Sequence, residues 1–279
     1  MCLQVDDTPI FSLGRVQFAL PSPLHSLSCI SNILLLTLSG LPRPSNTSSA
    51  GGQSPQLIRI DLDKPTEVEN IDLPSPPPVT TRDGVVSSLH RVHVDPTGRH
   101  VVISTTNGDN FYVFIGTLPT GGAPTSGRRA KPLARLKGAI IESVSWTPSS
   151  TSASSASFST REILLGTANG QILETTLLDP SLAESSSFSI PVPGRSGAPE
   201  RYVKLLYTLP ERQGITGLKC ETWGKRATII ATTKTRIYQF VGSLSGKKDE
   251  EGGMLEAAFQ PYVSGEAQPS GSFAGLRRR

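Results

Sequence analysis

The chain has 279 residues, 36% of them hydrophobic, with 26 glycines and 23 prolines. That is enough for one large all-β domain or two small domains, with part of the length given over to loops. Its 27 basic and 23 acidic residues leave a net charge of +4, too small to mark a nucleic-acid binder. The three cysteines, Cys2, Cys29 and Cys220, are odd in number and far apart; this argues against a disulfide framework and fits a reducing compartment. At the N-terminus, Asp6 and Asp7 stand where a secretory signal carries basic residues. The best apolar run, Ile33 to Leu36, falls far short of the roughly 20 residues that span a bilayer. Any membrane association is expected to be peripheral.

From the N-terminal end, residues 10–73 form a first, irregular unit with central strands expected at Ile33–Leu38 and Leu57–Leu62. Three later segments then align without gaps: Ile103–Val113, Leu165–Thr175 and Ile230–Phe240, with Thr105, Thr167 and Thr232 coinciding. In the first two copies Asn107-Gly108 and Asn169-Gly170 sit between strand-like runs, which predicts two-residue type I′ hairpin turns. The strand before each turn is apolar without alternation, as in Val101-Val102-Ile103 and Ile163-Leu164-Leu165, the pattern of a strand covered on both faces. Further strands are expected at Val85–Val94, Ile140–Trp146 and Ile215–Thr222 upstream, and at Pro132–Leu136 and Val203–Leu209 downstream.

Four strands per unit, repeating from positions 103 to 165 to 230, are the signature of propeller blades lengthened by insertions. The expectation is an all-β, WD40-like β-propeller of about four blades from a larger ring. It occupies residues 1–242, with 243–279 a mostly disordered or irregular tail. Residues 41–55, 117–131, 147–160, 179–199 and 243–272 are rich in Ser, Gly, Pro and Ala and are expected to be loop insertions.

The chemistry-bearing residues form no catalytic set. On a strand, His90 and His93 point to opposite faces and do not chelate one ion together. His100 follows the turn Asp95–Gly98 and is expected to be a structural histidine, and His25 has no ligand-spaced neighbour. Gly242–Lys248 superficially matches a phosphate loop, but it is one residue short, lacks the Ser or Thr for magnesium, and leads into acidic residues. No catalytic, cofactor-binding or metal residue is therefore assigned, and no small-molecule substrate is expected. The basic segment Arg128, Arg129, Lys131, Arg135 and Lys137 reads as a solvated loop and edge strand, and Arg277–Arg279 as part of the tail. Trp146 and Trp223 are expected in blade packing.

A set of segments in order resembles one known family. These are Pro9–Leu13, Arg15–Phe18, Leu57–Asp63, Val94–Gly98, Ile103–Thr106, Arg135–Gly138, Ile141–Val144, Glu162–Thr167, Leu206–Pro210, Ile215–Leu218 and Arg236–Phe240. Together they resemble the N-terminal propeller of the vacuolar protein sorting-associated protein 18, or deep orange, family. The resemblance implies a core subunit of the HOPS and CORVET tethering complexes, acting in vesicle docking, fusion and protein transport to the vacuole or lysosome. It also implies a cytoplasmic protein, peripheral on late endosome and vacuole membranes, whose partners are other tethering subunits. The α-solenoid and C-terminal zinc domain of that family have no counterpart before Arg279, so their roles are not carried over.

Three other readings compete with this one. A propeller adaptor of a different complex would share the scaffold. A propeller hydrolase or lyase would need convergent acid, base or metal-ligand residues at the blade tops. A nucleic-acid-binding propeller would need basic residues interleaved with aromatics along the strands, which this sequence lacks.

Overall fold

The computed structural model describes residues 20–30, 32–39, 54–73, 88–116, 130–146, 160–178, 198–245 and 253–273. Four sheets follow one another, each a four-stranded antiparallel meander in chain order. The first comprises β1 (Leu24–Ile30), β2 (Ile33–Leu38), β3 (Gln56–Asp61) and β4 (Lys64–Asp72). The second comprises β5 (Leu89–Val94), β6 (His100–Thr105), β7 (Asn110–Phe114) and β8 (Lys131–Pro132). The third is β9 (Ile141–Ser145), β10 (Ile163–Thr167), β11 (Gln171–Leu177) and β12 (Glu200–Thr208). The fourth is β13 (Gly217–Trp223), β14 (Arg226–Thr232), β15 (Arg236–Ser243) and β16 (Ser270–Phe273), with one helix, α1 (Glu256–Val263), ahead of β16. The first strands, β1, β5, β9 and β13, touch in succession, so the sheets are arranged as consecutive propeller blades.

The unbroken apolar runs are explained by the three cores between blades. Along β6, Val101 and Ile103 enter the core shared with Leu35, Leu57 and Ile71 of blade 1. Val102 turns the other way, into the core shared with Ile163, Leu165 and Leu173 of blade 3. Leu164 and Ile172 of blade 3 face Ile229, Ala231 and Phe240 of blade 4. Each leucine, isoleucine, valine or phenylalanine so buried contributes roughly 1.5–3 kcal/mol of hydrophobic stabilisation. Serine hydroxyls fasten the same junctions to backbone groups: Ile141 N donates to Ser104 Oγ (3.0 Å), Ser143 Oγ to Ile215 O (2.6 Å), and Cys220 N to Ser145 Oγ (2.7 Å).

The turns at Asn107-Gly108 and Asn169-Gly170 are hairpin turns of a different type from that predicted. A type I′ turn needs positive φ at both central residues, yet only the glycines have it, at 77° for Gly108 and 75° for Gly170. Gly108 N donates to Thr105 O while Thr105 N donates to Asp109 O. The loop is therefore three residues long, a type I turn closed by a glycine bulge. Thr105 Oγ1 accepts from Asp109 N and Thr167 Oγ1 from Gln171 N, both at 3.0 Å, and this explains the repeated threonine. In the third copy the role passes to Thr233, whose Oγ1 accepts from Arg236 N at 3.0 Å, because that turn is shortened to Lys234-Thr235. The gapless alignment with Thr232 is one residue out there.

Two further expectations are revised. The strand expected at Pro132–Leu136 is instead the end of the two-residue strand β8 (Lys131–Pro132) followed by a 3₁₀ turn over Ala134–Leu136. The Asn110 amide draws the chain in there by donating to Leu136 O (2.7 Å) and Ala139 O (2.8 Å). Within the expected tail, residues 253–273 supply α1 and the outer strand of blade 4, with β16 pairing from Arg236↔Phe273 to Gln239↔Ser270. Leu255, Ala258 and Phe259 are buried in the core with blade 4. The helix lies so close to β15 that a Cβ on Gly242 would stand 2.5 Å from Ala258 Cα. The other insertions, apart from their edges, lie outside the described residues.

Candidate functional site

Each histidine has a local occupation. His100 is buried, with Nδ1 2.7 Å from Tyr112 Oη and its ring against Phe114. Its turn is built on Asp95, whose carboxylate accepts from Arg99 N (2.6 Å), His100 N (2.8 Å) and Thr97 N (3.2 Å). His90 Nε2 lies 3.0 Å from Glu142 Oε1, across the boundary between blades 2 and 3. Burial pushes the His93 pKa down to about 4, against a hydrogen bond with the Ile141 backbone that works the other way. His90 and His93 thus have separate partners. Burial also lowers the pKa of His25. Among the described residues no three His, Cys, Asp or Glu side chains converge on a point that would hold a metal. The Cys220 thiol is pushed up to about 11, chiefly by burial, which keeps it protonated and unreactive.

The basic segment is partly tied down. Arg135 N donates to Glu200 Oε1 (2.6 Å) and its guanidinium to Arg201 O (2.9 Å), so it links the outer parts of blades 2 and 3. Lys131 is half-buried in β8 and Lys137 is exposed, while Arg128, Arg129, Lys247 and Arg277–Arg279 lie outside the described residues. Trp146 packs on the core between blades 2 and 3 as expected. Trp223 does not: it is 65% exposed at the tip of the β13–β14 hairpin, where the strand pair runs past the edge of the core.

What the geometry offers is surface. Strands β6 and β10 are buried at every position, whereas β14 and β15 alternate. On one side Ala227, Ile229, Ala231, Tyr238 and Phe240 are buried against blade 3 and α1. On the other, Ile230 (38% exposed), Ile237 and Val241 (48%) meet solvent beside Trp223. Exposed apolar side chains gathered on one sheet face mark an interaction surface.

Successive four-stranded meanders and a scaffold with open surface fit the domain comparison, which matches residues 9–274 to the Pep3/Vps18/deep orange beta-propeller domain. The chain belongs to that family. Similar curated members include the vacuolar protein sorting-associated protein 18 homolog of Danio rerio, 29% identical over 252 residues, covering 88% of this chain and 21% of that protein. The vacuolar membrane protein pep3 of Schizosaccharomyces pombe (strain 972 / ATCC 24843) is 24% identical, covering 86% of this chain and 21% of its own length. The chain spans about a fifth of the length of these relatives. Among solved structures, the β-propeller domain of Myceliophteria thermophila Cps50 (Swd1) matches at 15% identity and a TM-score of 0.42, over 80% of this chain and 57% of that one.

Membership in the Pep3/Vps18 family bears out the resemblance read from the sequence, and the propeller class with it. The sequence leads to the expectation that the last of the four blades presents an uncovered apolar face, and among the described residues β14 and β15 present one. Its alternation is plain in Arg226–Thr232, but β14 was read as an inner strand like its counterparts in blades 2 and 3.

Proposed function

We propose that this chain is a non-catalytic interaction module of a membrane-tethering complex, of the HOPS and CORVET kind. In this reading it serves vesicle docking and fusion on the route to the vacuole or lysosome. Membership in the Pep3/Vps18/deep orange family carries the reading, because the curated relatives are named for vacuolar protein sorting and for the vacuolar membrane. Blade surfaces bind other tethering subunits, and the chain reaches late endosome and vacuole membranes through them. No helix among the described residues is long and apolar enough to cross a membrane, which is compatible with that arrangement.

The test is to express the tagged chain in cells and purify it under mild conditions, with a fluorescent fusion followed in parallel. Co-purification of tethering subunits and a punctate or vacuole-rim distribution are the expected results. Capture of none of them, with diffuse fluorescence, would remove the proposal. The non-catalytic part is checked separately by nucleotide binding: saturable ATP or GTP binding abolished by Lys247→Ala would contradict it.

A further inference from the structure

The hairpin that joins β13 to β14 reaches beyond the core of blade 4. Trp223 pairs with Arg226 one rung past Thr222 and Ala227, and Ala227 is the last buried side chain on the way to the tip. The turn itself is two residues, Gly224 and Lys225, and of these only Gly224 has a positive φ, at 59°. That is the mark of a type II′ turn, whose twist matches the strands it joins. A Cβ on Gly224 would meet nothing within 4 Å among the described residues outside its chain neighbours, so the tip stands clear. It is held in place all the same, because Lys225 O accepts from Leu244 N (2.8 Å) and Arg226 pairs with Ser243 of β15.

Three side chains compose the tip. The Trp223 indole is the most exposed large apolar group among the described residues. Lys225 and Arg226 are exposed too, and neither side chain makes an ion pair or hydrogen bond among the described residues. Behind them on the open face, Glu221 has Lys219 for company, Nζ to Oε1 3.9 Å. Three cations, Lys219, Lys225 and Arg226, thus stand against the one carboxylate of Glu221, an excess of two positive charges.

Shape and chemistry together select what this tip can meet. It is convex, so a peptide finds no groove there to lie in. An indole joins an apolar body to a single N–H donor, the combination that settles at the headgroup level of a bilayer. Cations beside it are drawn to an anionic leaflet once they come within a Debye length of its surface. We propose that the β13–β14 hairpin is a membrane-contact site, which places Trp223 in the headgroup region of an anionic bilayer with Lys225 and Arg226 against the lipid phosphates. One indole and two surplus charges make a weak contact, since stable peripheral anchoring takes more than one signal. The contact adds to whatever else holds the chain at the membrane, and it stands apart from the tethering assignment.

The test uses the purified full chain, diluted until it is monomeric, and titrates it with vesicles of phosphatidylcholine plus phosphatidylserine or of phosphatidylcholine alone. Trp146, the one other tryptophan, packs on the core between blades 2 and 3, so a change in tryptophan emission reports Trp223. Saturable binding with blue-shifted emission is expected for the phosphatidylserine vesicles only, and it should weaken as salt is raised. Trp223→Ala should weaken it at least about tenfold, and Lys225→Ala and Arg226→Ala about fivefold each. All three positions are exposed, so the variants should melt with the unmodified chain. The proposal is overturned by equal binding to both kinds of vesicle, by no binding, or by binding that none of the three variants weakens. A Trp223 emission already blue-shifted before vesicles are added would overturn it as well, by assigning the indole to a contact between proteins.

Discussion

Blades 3 and 4 share a topology and differ in how their central strands are covered. In β10 neighbouring residues Leu164 and Leu165 point to opposite faces, and both are buried, one against blade 4 and the other against blade 2. In β14 the equivalent neighbours Ile229 and Ile230 divide: Ile229 is fully buried and Ile230 meets water. The lesson is that an apolar pair in a central strand does not by itself imply two covered faces. Blade 4 keeps its apolar residues on both faces and fills only one.

Truncating these four side chains one at a time should give the largest contrast. Leu164→Ala, Leu165→Ala and Ile229→Ala are each expected to cost about 2–5 kcal/mol, the range for emptying a packed site. Ile230→Ala should cost less than about 1 kcal/mol, because its side chain leaves no cavity. Urea unfolding of the four variants checks this, and a large loss at Ile230 would show that the open face is covered in solution.

The next contrast concerns the covered side of blade 4, where α1 docks. Glu174 of β11 is fully buried and accepts from Leu255 N (3.2 Å) at the start of that helix. Its pKa is raised from 4.5 to about 7, first by burial and then by Glu162, against the opposing pull of the Leu255 and Met254 backbone and of Lys204. Tyr202 and Cys220 also face it, and the charge of Glu174 raises their pKa values in turn. The folded state therefore holds a proton between pH 4.5 and 7 that the unfolded chain has released, so stability falls as pH rises through that window. Glu174→Gln should be close to neutral near pH 4.5 and stabilising by on the order of 2–3 kcal/mol above pH 7. Thermal melts across pH 4.5–8 provide the measurement; a variant equally stable relative to wild type at both ends would refute the assignment.

The sequence made the blades legible where they repeat and hid them where they do not. Thr105 and Thr167 recur because each caps the same turn, and Gly108 and Gly170 recur because each turn needs one positive φ. The turn type was misjudged because Asn-Gly satisfies two hairpin geometries, and hydrogen bonds one residue further out decide between them. The outer strand of blade 4 was illegible, since its first three residues, Ser270, Gly271 and Ser272, are small and the strand gains its place by pairing with β15. The helix before it did leave a signal. Leu255, Ala258, Phe259 and Tyr262 stand at i, i+3, i+4 and i+7, the spacing of an amphipathic helix, within a stretch whose Gly and Ser content masked it. A cleft at the outer corner of blade 4, lined by Tyr207 of β12, Tyr238 of β15 and Tyr262 of α1, was unreadable for a related reason: only the fold brings these three elements together.

The smallest expected effect on stability tests the open face most directly. Ile230 lies diagonal to both Ile237 and Val241 on the solvent side of adjacent strands, with Lys219, Glu221 and Gln239 on the same face and Trp223 at the hairpin tip. Such a patch favours association, and a sheet face is flat enough for two copies to stack. Lysine at these positions opposes stacking by charge, while its aliphatic stem still lies along the sheet. The double variant Ile230→Lys, Val241→Lys should therefore change unfolding free energy by no more than about 0.5 kcal/mol per site, as at other exposed positions. In sedimentation velocity the unmodified chain should show concentration-dependent association that the double variant loses. If the unmodified chain sediments as a monomer at every concentration, blade 4's open face tolerates water without a cover, and the contrast with blade 3 is one of packing alone.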